Sequence, residues 1–160
     1  MTMEYLHVAY DFIDILKAAE AGDAETQYRL GAYYYNGEVI TKDGATGIVY
    51  YWNGAEVTKD TAQAAEWLLK AAEQGHAGAQ TKLGLCYYFG DGVQQDHAKA
   101  VEWYRRAAEQ GFPEAEFELG QCYEAGKGVT QDCAQAAEWY AKAVKHGHQG
   151  AQDFLENMER

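Results

Sequence analysis

The chain of 160 residues carries 13 basic and 25 acidic side chains, which gives a net charge of −12. This acidic excess argues against nucleic acid and anionic membrane surfaces as partners, because both attract basic proteins. The sequence contains no serine, which excludes serine-nucleophile mechanisms. Its three cysteines, an odd number without dense spacing, do not suggest a disulfide framework.

The first residues do not read as a secretory signal. No basic n-region is present, and Glu4, Asp11 and Asp14 interrupt the apolar stretch. No apolar run approaches the ~20 residues that a membrane-spanning helix requires. We therefore expect a cytoplasmic location, without membrane insertion.

Residues 4–21 form the first predicted helix. Asp14 stands where later helices of the same type carry tryptophan. A polar residue at a packing position is typical of a terminal helix with one face in water, so we predict an N-terminal capping helix. Its apolar stripe recurs at steps of three and four residues and comprises Tyr5, Ala9, Phe12, Leu16 and Ala19.

One helical segment, called helix B here, recurs three times with a period of 36 residues, at 60–75, 96–111 and 132–147. An aspartate begins each copy, and in the first and third copies a glutamine follows at the spacing of a capping box. A glycine ends each copy, as expected for a helix C-terminus. A fixed period of this length indicates a repeat protein.

A second helix type, helix A, precedes a glycine-rich loop in each unit. Its copies span 27–35, 80–88 and 116–124, and a decayed copy spans 152–160. A lone helix of about 15 residues is marginal in water, so each helix pair must bury its apolar stripe against its neighbours. The pattern therefore predicts an all-α fold, an α/α solenoid.

Helix B carries two adjacent aromatic residues, Trp103 and Tyr104, among small alanines. We expect both rings to fill the space between closely packed helices. Truncating a buried tryptophan costs ~3–5 kcal/mol. Trp103→Ala is therefore predicted to unfold much of the array.

The full pattern is A-x-x-x-L-G-x-x-Y-x-x-G-x-G-V-x-x-D-x-x-x-A-x-x-W-Y-x-x-A-A-x-x-G, and it resembles Sel1-like repeats, which are relatives of the tetratricopeptide repeat. The copy over 113–147 matches most of it again. The second copy matches nearly in full, at Ala79, Leu83, Gly84, Tyr87, Gly90, Gly92, Val93, Asp96, Ala100, Trp103, Tyr104, Ala107, Ala108 and Gly111.

The resemblance implies a right-handed superhelix of three Sel1-like repeats, with helices A lining a concave face that recognises proteins. It implies no catalysis and no cofactor. Some secreted relatives brace each repeat with a disulfide, but this chain carries Ala72, Ala108, Val144 and Gln80 at those places. The expected single domain, 1–160, divides into a capping helix (4–21), repeat 1 (24–75), repeat 2 (77–111), repeat 3 (113–147) and a C-terminal capping helix (149–159).

Repeat 1 contains an insertion at about 36–56, which lengthens the period by 17 residues and repeats part of its own sequence. Two β-branched and aromatic runs, 39–41 and 48–51, flank a glycine-containing turn and predict a small β-hairpin. A short irregular helix is the alternative. Tyr50 and Trp52 are candidate binding residues in this insertion, unless the aromatic side chains only pack on helix A.

Positions of helices A that the pattern leaves variable are the candidates for a binding groove. They are aromatic in the first two repeats and polar or acidic in the third, which predicts a protein or peptide partner of basic or mixed charge. Some tyrosines could instead be buried between repeats, and exposed aromatics could serve self-association. The candidates are Arg29, Ala32, Tyr33, Tyr35, Lys82, Leu85, Tyr88, Phe89, Glu118, Gln121 and Glu124.

A cysteine-dependent hydrolase or redox enzyme is the alternative function, with Cys133 or Cys122 as its nucleophile. Cys133 lies at a predicted helix N-terminus, which can lower a thiol pKa, and His97 holds the equivalent place one repeat earlier. Equivalent atoms of adjacent repeats usually lie too far apart for a hydrogen bond. His146 and His148 lack a third ligand, so no metal site is predicted.

Overall fold

A computed structural model describes residues 14–36, 39–40, 46–47 and 59–158. The described chain is helical apart from two short strands, and the all-α fold class is confirmed. Helix α1 covers residues 14–20, the described part of the predicted capping helix. The other helices are α2 (Ala24–Asn36), α3 (Thr61–Glu73), α4 (Ala77–Phe89), α5 (His97–Ala108), α6 (Pro113–Ala125), α7 (Cys133–Lys145) and α8 (Ala151–Met158).

The two strands lie in the insertion. Strand β1 (Val39–Ile40) pairs antiparallel with β2 (Thr46–Gly47). The second run of the predicted hairpin, residues 48–51, lies outside the described residues, as do Tyr50 and Trp52. The hairpin and the role of the insertion therefore stay predictions.

Each helix B begins with an aspartate cap. The Asp60 carboxylate accepts a hydrogen bond of 3.0 Å from the backbone N–H of Gln63, and Asp96 and Asp132 make the same bond at 3.0 Å. The backbone N–H of Asp60, however, donates to the carbonyl of Tyr34 at 2.9 Å. The reciprocal half of a capping box is therefore replaced by a bond that ties the start of helix B to the preceding helix A.

The predicted glycine ends of the helices are confirmed. Gly111 has a φ of +76°, and its N–H donates to the carbonyl of Ala108 at 2.9 Å. The next N–H, from Phe112, reaches back to Ala107 at 3.3 Å. These bonds satisfy carbonyls at the end of α5 and turn the chain into α6.

The structure groups into two compact units, 1–79 and 80–160, whose boundary falls inside α4. The core of the first unit contains Ala19, Leu30 and Tyr33, with Trp67 packed against it. Tyr33 is only 2% exposed and Ala32 is also buried. Neither residue lies on an open groove surface, because both side chains are buried.

The core of the second unit is built around Tyr104 and Tyr140, which are both fully buried. A Cβ atom added at Gly120 would lie 2.6 Å from Cε1 of Tyr140, and one added at Gly84 would overlap the Tyr104 ring. The glycine in helix A is therefore required for close approach, since it gives the tyrosine of the following helix B a place to pack.

Trp103 is buried less completely than Tyr104. Its side chain is half-buried, and the Arg106 guanidinium lies 4.5 Å from the ring centroid. Adjacent helix residues point about 100° apart, so Tyr104 takes the centre of the packed face and Trp103 its edge. The other two copies place a lysine over the tryptophan in the same way, with Lys70 at 4.0 Å from Trp67 and Lys142 at 3.7 Å from Trp139.

Candidate functional site

A groove of about 350 Å³ lies between α4 and α6 in the second unit; we call it the α4–α6 groove. Each helix contributes three residues at relative positions i, i+3 and i+4, a spacing that places side chains on one helix face. The lining residues are Leu85, Tyr88 and Phe89 from α4 and Glu118, Gln121 and Cys122 from α6.

The α4 wall is aromatic. Phe89 is 61% exposed, although it is the last residue of a packed helix. Its ring meets the Tyr88 ring edge to face, with centroids 5.0 Å apart and planes at 73°. The Tyr88 ring also contacts the His97 ring, with centroids 4.7 Å apart. The α4 wall thus presents a supported tyrosine ring and an open phenyl ring.

The α6 wall is acidic. Glu118 is half-buried, and burial raises the pKa of its carboxyl group above the usual range. No hydrogen bond or ion pair joins this carboxylate to another described residue. Burial and then the Glu118 charge raise the pKa of the Tyr104 hydroxyl behind the groove. Glu118 is the one carboxylate among the residues that line the groove.

The thiols near the groove are poor nucleophiles. Burial raises the pKa of Cys122 to about 12, with Glu118 as the second cause, and burial raises the pKa of Cys86 to about 11. A protonated thiol reacts slowly. Cys133 is exposed at the start of α7, and no described hydrogen bond joins it to a histidine.

Metal binding and membrane spanning find no support in the part of the chain that the structure describes. Within these residues, no group of three or more His, Cys, Asp or Glu side chains is placed to hold a metal ion. None of the described helices is both long and apolar enough to cross a membrane.

Five of the candidate residues from the sequence come together in the α4–α6 groove: Leu85, Tyr88, Phe89, Glu118 and Gln121. Lys82 and Glu124 lie on the same two helices but do not line it. The Glu124 carboxylate instead accepts a hydrogen bond of 2.6 Å from the Tyr140 hydroxyl. Glu124 therefore links α6 to α7 by a side-chain hydrogen bond.

The remaining candidates belong to the first unit. Arg29 and Tyr35 are half-buried on α2, and the Lys59 ammonium group lies 5.2 Å from the centroid of the Tyr35 ring. Tyr33 is buried in the core of that unit. The α4–α6 groove is thus assembled without these three residues.

Sequence reasoning did not place Cys122 in the groove, and it named Glu118 only among the variable positions. The spacing could have found Cys122, because it lies four residues after Glu118 and one after Gln121. No sequence signal, however, shows that Glu124 is hydrogen-bonded and Glu118 is not. The Glu124 bond comes from the Tyr140 hydroxyl on another helix, which only the structure places.

The family model "Sel1 repeat" matches four stretches of this chain, at residues 24–51, 44–76, 77–112 and 113–148. The first two matches overlap within the insertion. None of the curated proteins matches the chain significantly.

Solved structures of similar proteins carry the same repeat. A Sel1 repeat protein from Oxalobacter formigenes is 37% identical, with a TM-score of 0.72 over 92% of this chain and 98% of that protein. A protective antigen of uropathogenic Escherichia coli strains, which displays an SLR fold, is 38% identical with a TM-score of 0.72; the match covers 87% of this chain and 26% of that one. Cysteine rich protein B of Helicobacter pylori is 29% identical, with a TM-score of 0.57 over 60% of this chain and 72% of that protein.

Proposed function

We propose, from the premise that the chain belongs to the Sel1-repeat family, that it is a non-catalytic scaffold binding a segment of a partner protein in the α4–α6 groove. Sel1-repeat proteins mediate protein–protein interactions. The family does not identify the surface used here, so the groove is argued from its own residues.

The exposure of Phe89 is the observation that carries this proposal. A phenyl ring that is 61% exposed leaves apolar area in water, and its burial would contribute favourably to binding. The Tyr88 ring supports it on one side, and the α6 wall stands opposite. Aromatic residues set in a groove between helices are typical of binding hot spots, and such grooves commonly take a helix or an extended peptide.

The two walls favour a partner with two kinds of side chain. The α4 wall, with Leu85, Tyr88 and Phe89, suits an apolar anchor. The α6 wall, with Glu118 and Gln121, suits a basic or hydrogen-bonding side chain. The net charge of −12 favours the approach of a basic or mixed-charge segment from solution.

The alternative, a cysteine-dependent hydrolase or redox enzyme, has weaker support. Cys122 is buried, and its pKa of about 12 keeps it protonated near neutral pH. Cys133 is accessible but has no described base hydrogen-bonded to it. Self-association through the exposed Phe89 would use the same groove with a second copy of this chain as the partner.

Selection of a phage-displayed random peptide library on the immobilised full chain tests the proposal. We expect enriched peptides that combine apolar and basic residues and bind at least about tenfold more weakly, ~1.4 kcal/mol, to the Tyr88→Ala/Phe89→Ala variant. Circular dichroism must first show that the variant stays helical. Enriched peptides that bind wild type and the folded variant equally would place recognition outside this groove.

A further inference from the structure

The α4–α6 groove contains a carboxylate whose environment is unlike that of its nearest counterpart. Glu124, six residues further along α6, accepts a hydrogen bond from Tyr140 at 2.6 Å. Glu118 is half-buried and makes no hydrogen bond or ion pair with another described residue. A carboxylate drawn away from water without a partner is unfavourable unless something else supplies the missing donors.

The Tyr104 hydroxyl also lacks a described partner. Tyr104 occupies the place in α5 that Tyr140 occupies in α7, 36 residues later. Its hydroxyl is buried and has no hydrogen-bond partner among the described residues, although Glu118 lies close enough to influence it electrostatically. The Tyr104 hydroxyl is thus unsatisfied, which is uncommon in a protein interior, and the Glu118 carboxylate in the groove wall has no hydrogen-bond partner among the described residues.

We propose that the α4–α6 groove takes an arginine side chain of the partner segment, with its guanidinium group paired to the Glu118 carboxylate and stacked against the aromatic wall of Tyr88 and Phe89. This assignment rests on the proposed function, because it specifies what that peptide must carry. A carboxylate accepts two parallel hydrogen bonds from a guanidinium group. The open ring of Phe89 offers the flat face on which a guanidinium group stacks.

Arginine fits this groove better than lysine for two reasons. Its planar, weakly hydrated head can use the carboxylate and the rings together, whereas an ammonium group is a compact and strongly hydrated charge. The cavity of about 350 Å³ is at the small end of ligand pockets, ~300–1,000 Å³, so it suits one or two side chains. The aliphatic stem of the arginine would lie against Leu85, and the Gln121 amide remains available to the peptide backbone.

Nuclear magnetic resonance titration of the full ¹⁵N-labelled chain with three matched peptides tests this assignment. The peptides have the form acetyl-Gly-Leu-X-Leu-Gly-amide, where X is arginine, its neutral isostere citrulline, or lysine. We expect saturable shifts of the Leu85, Tyr88, Phe89, Glu118 and Gln121 amides with the arginine peptide. Its Kd should be at least about tenfold lower than that of either other peptide, since a charge-assisted bidentate bond is lost in both.

Two variants of α6 separate a specific pairing from general charge attraction. Glu118→Gln should raise the Kd of the arginine peptide about tenfold and leave that of the citrulline peptide unchanged. Glu114→Gln makes the same charge change at an exposed position of α6 and should change neither. Equal weakening by both variants would reduce the effect to net charge and overturn the assignment.

The remaining outcomes distinguish this assignment from the proposed function. Equal affinity for arginine and citrulline, equal affinity for arginine and lysine, or no saturable shift at all would each overturn the arginine pocket. The proposed function would still stand if library-selected peptides lose binding on Tyr88→Ala/Phe89→Ala but not on Glu118→Gln. If neither variant affects those peptides, the proposed function fails together with the arginine pocket.

Discussion

Two regions of the second unit share the repeat pattern but differ in their side chains: the groove region, built by α4, α5 and α6, and the terminal region, built by α6, α7 and α8. In the groove region, Tyr104 packs on Gly84, and Glu118 faces the open α4–α6 groove. In the terminal region, 36 residues on, Tyr140 packs on Gly120. There Phe154 stands at the position of Glu118, with its ring 5.5 Å from that of Tyr140.

The polar partners differ as well. Glu124 stands at the position of Tyr88 and accepts the Tyr140 hydroxyl at 2.6 Å, while Phe117 meets Phe154 at 5.1 Å. In the terminal region the tyrosine hydroxyl is therefore paired and the rings pack on one another, although Phe154 is 37% exposed and the buried Nδ1 of His148 has no described hydrogen-bond partner. The groove region keeps the same backbone packing but exposes Phe89 further, to 61%, and leaves both the Tyr104 hydroxyl and the Glu118 carboxylate without a described hydrogen-bond partner. The comparison teaches that the repeated positions build the scaffold and the variable positions decide where it stays open.

The largest expected effect concerns the feature that both regions share, a buried helix B tyrosine packed on a glycine of the preceding helix A. Tyr104→Ala should lower the free energy of unfolding by ~3–5 kcal/mol, because a fully buried ring leaves a cavity. Trp103→Ala, the adjacent control, should cost only about 1–2 kcal/mol since its ring is half-buried. Urea unfolding followed by circular dichroism measures both. A larger loss for Trp103→Ala would contradict the core assignment.

A smaller effect separates the two tyrosines by their hydroxyl groups. Tyr140→Phe removes the donor to Glu124 and should cost about 1.5 kcal/mol, as for a hydrogen bond to a charged group. Tyr104→Phe should stay within about 0.5 kcal/mol of wild type or be more stable, because its hydroxyl has no described partner. The same urea experiment compares them. Equal costs would mean that the Tyr104 hydroxyl has a partner after all.

The smallest expected effect concerns the pH dependence of stability at Glu118. Burial raises its pKa in the folded state, so the folded protein holds this proton to higher pH than the unfolded chain does. The resulting stabilisation is complete below the unfolded pKa, ~4.3, and is lost as pH rises through the folded-state pKa. The neighbouring Tyr88, Tyr104 and Cys122 stay neutral over this range, since their pKa values are also raised.

Glu118→Gln should therefore raise the Tm at pH 7 by about 1–2 °C and have little effect near pH 4. Glu114→Gln, at an exposed site on the same helix, should raise it at neither pH. Differential scanning calorimetry at the two pH values measures the difference. A Tm of Glu118→Gln below that of wild type at pH 7 would show that the carboxylate has a stabilising partner. A gain in stability with a loss of arginine binding would be typical of a functional site.

Much of the architecture could be predicted because it depends on local signals. Asp60, Asp96 and Asp132 cap their helices through the residue three positions on, and Gly111 ends α5 with a positive φ. These interactions lie within one helical turn, so the residue type and spacing are sufficient to predict them. Five of the candidate residues line the groove because α4 and α6 present the same face of the repeat.

The sequence was a poor guide where the burial of a side chain depends on the neighbouring helix. Trp103 and Tyr104 both lie within the apolar arc of α5, and both rings were expected to fill the space between the helices. The space opened by Gly84 admits Tyr104 instead. Tyr33 looked like a surface aromatic of helix A, yet it is buried with Leu30 and Ala19.

By itself, the sequence determined the repeat, its period, the caps of helices B and the family, since these depend on residue type at a fixed spacing along the chain. Only the tertiary structure decided which side chains are paired and which remain open. Glu118 and Glu124 are chemically identical and lie on one helix, but the hydroxyl that satisfies Glu124 comes from Tyr140, 16 residues away on α7. Hydrogen bonds and burial depend on distances across helices, and the order of residues along one helix does not specify them.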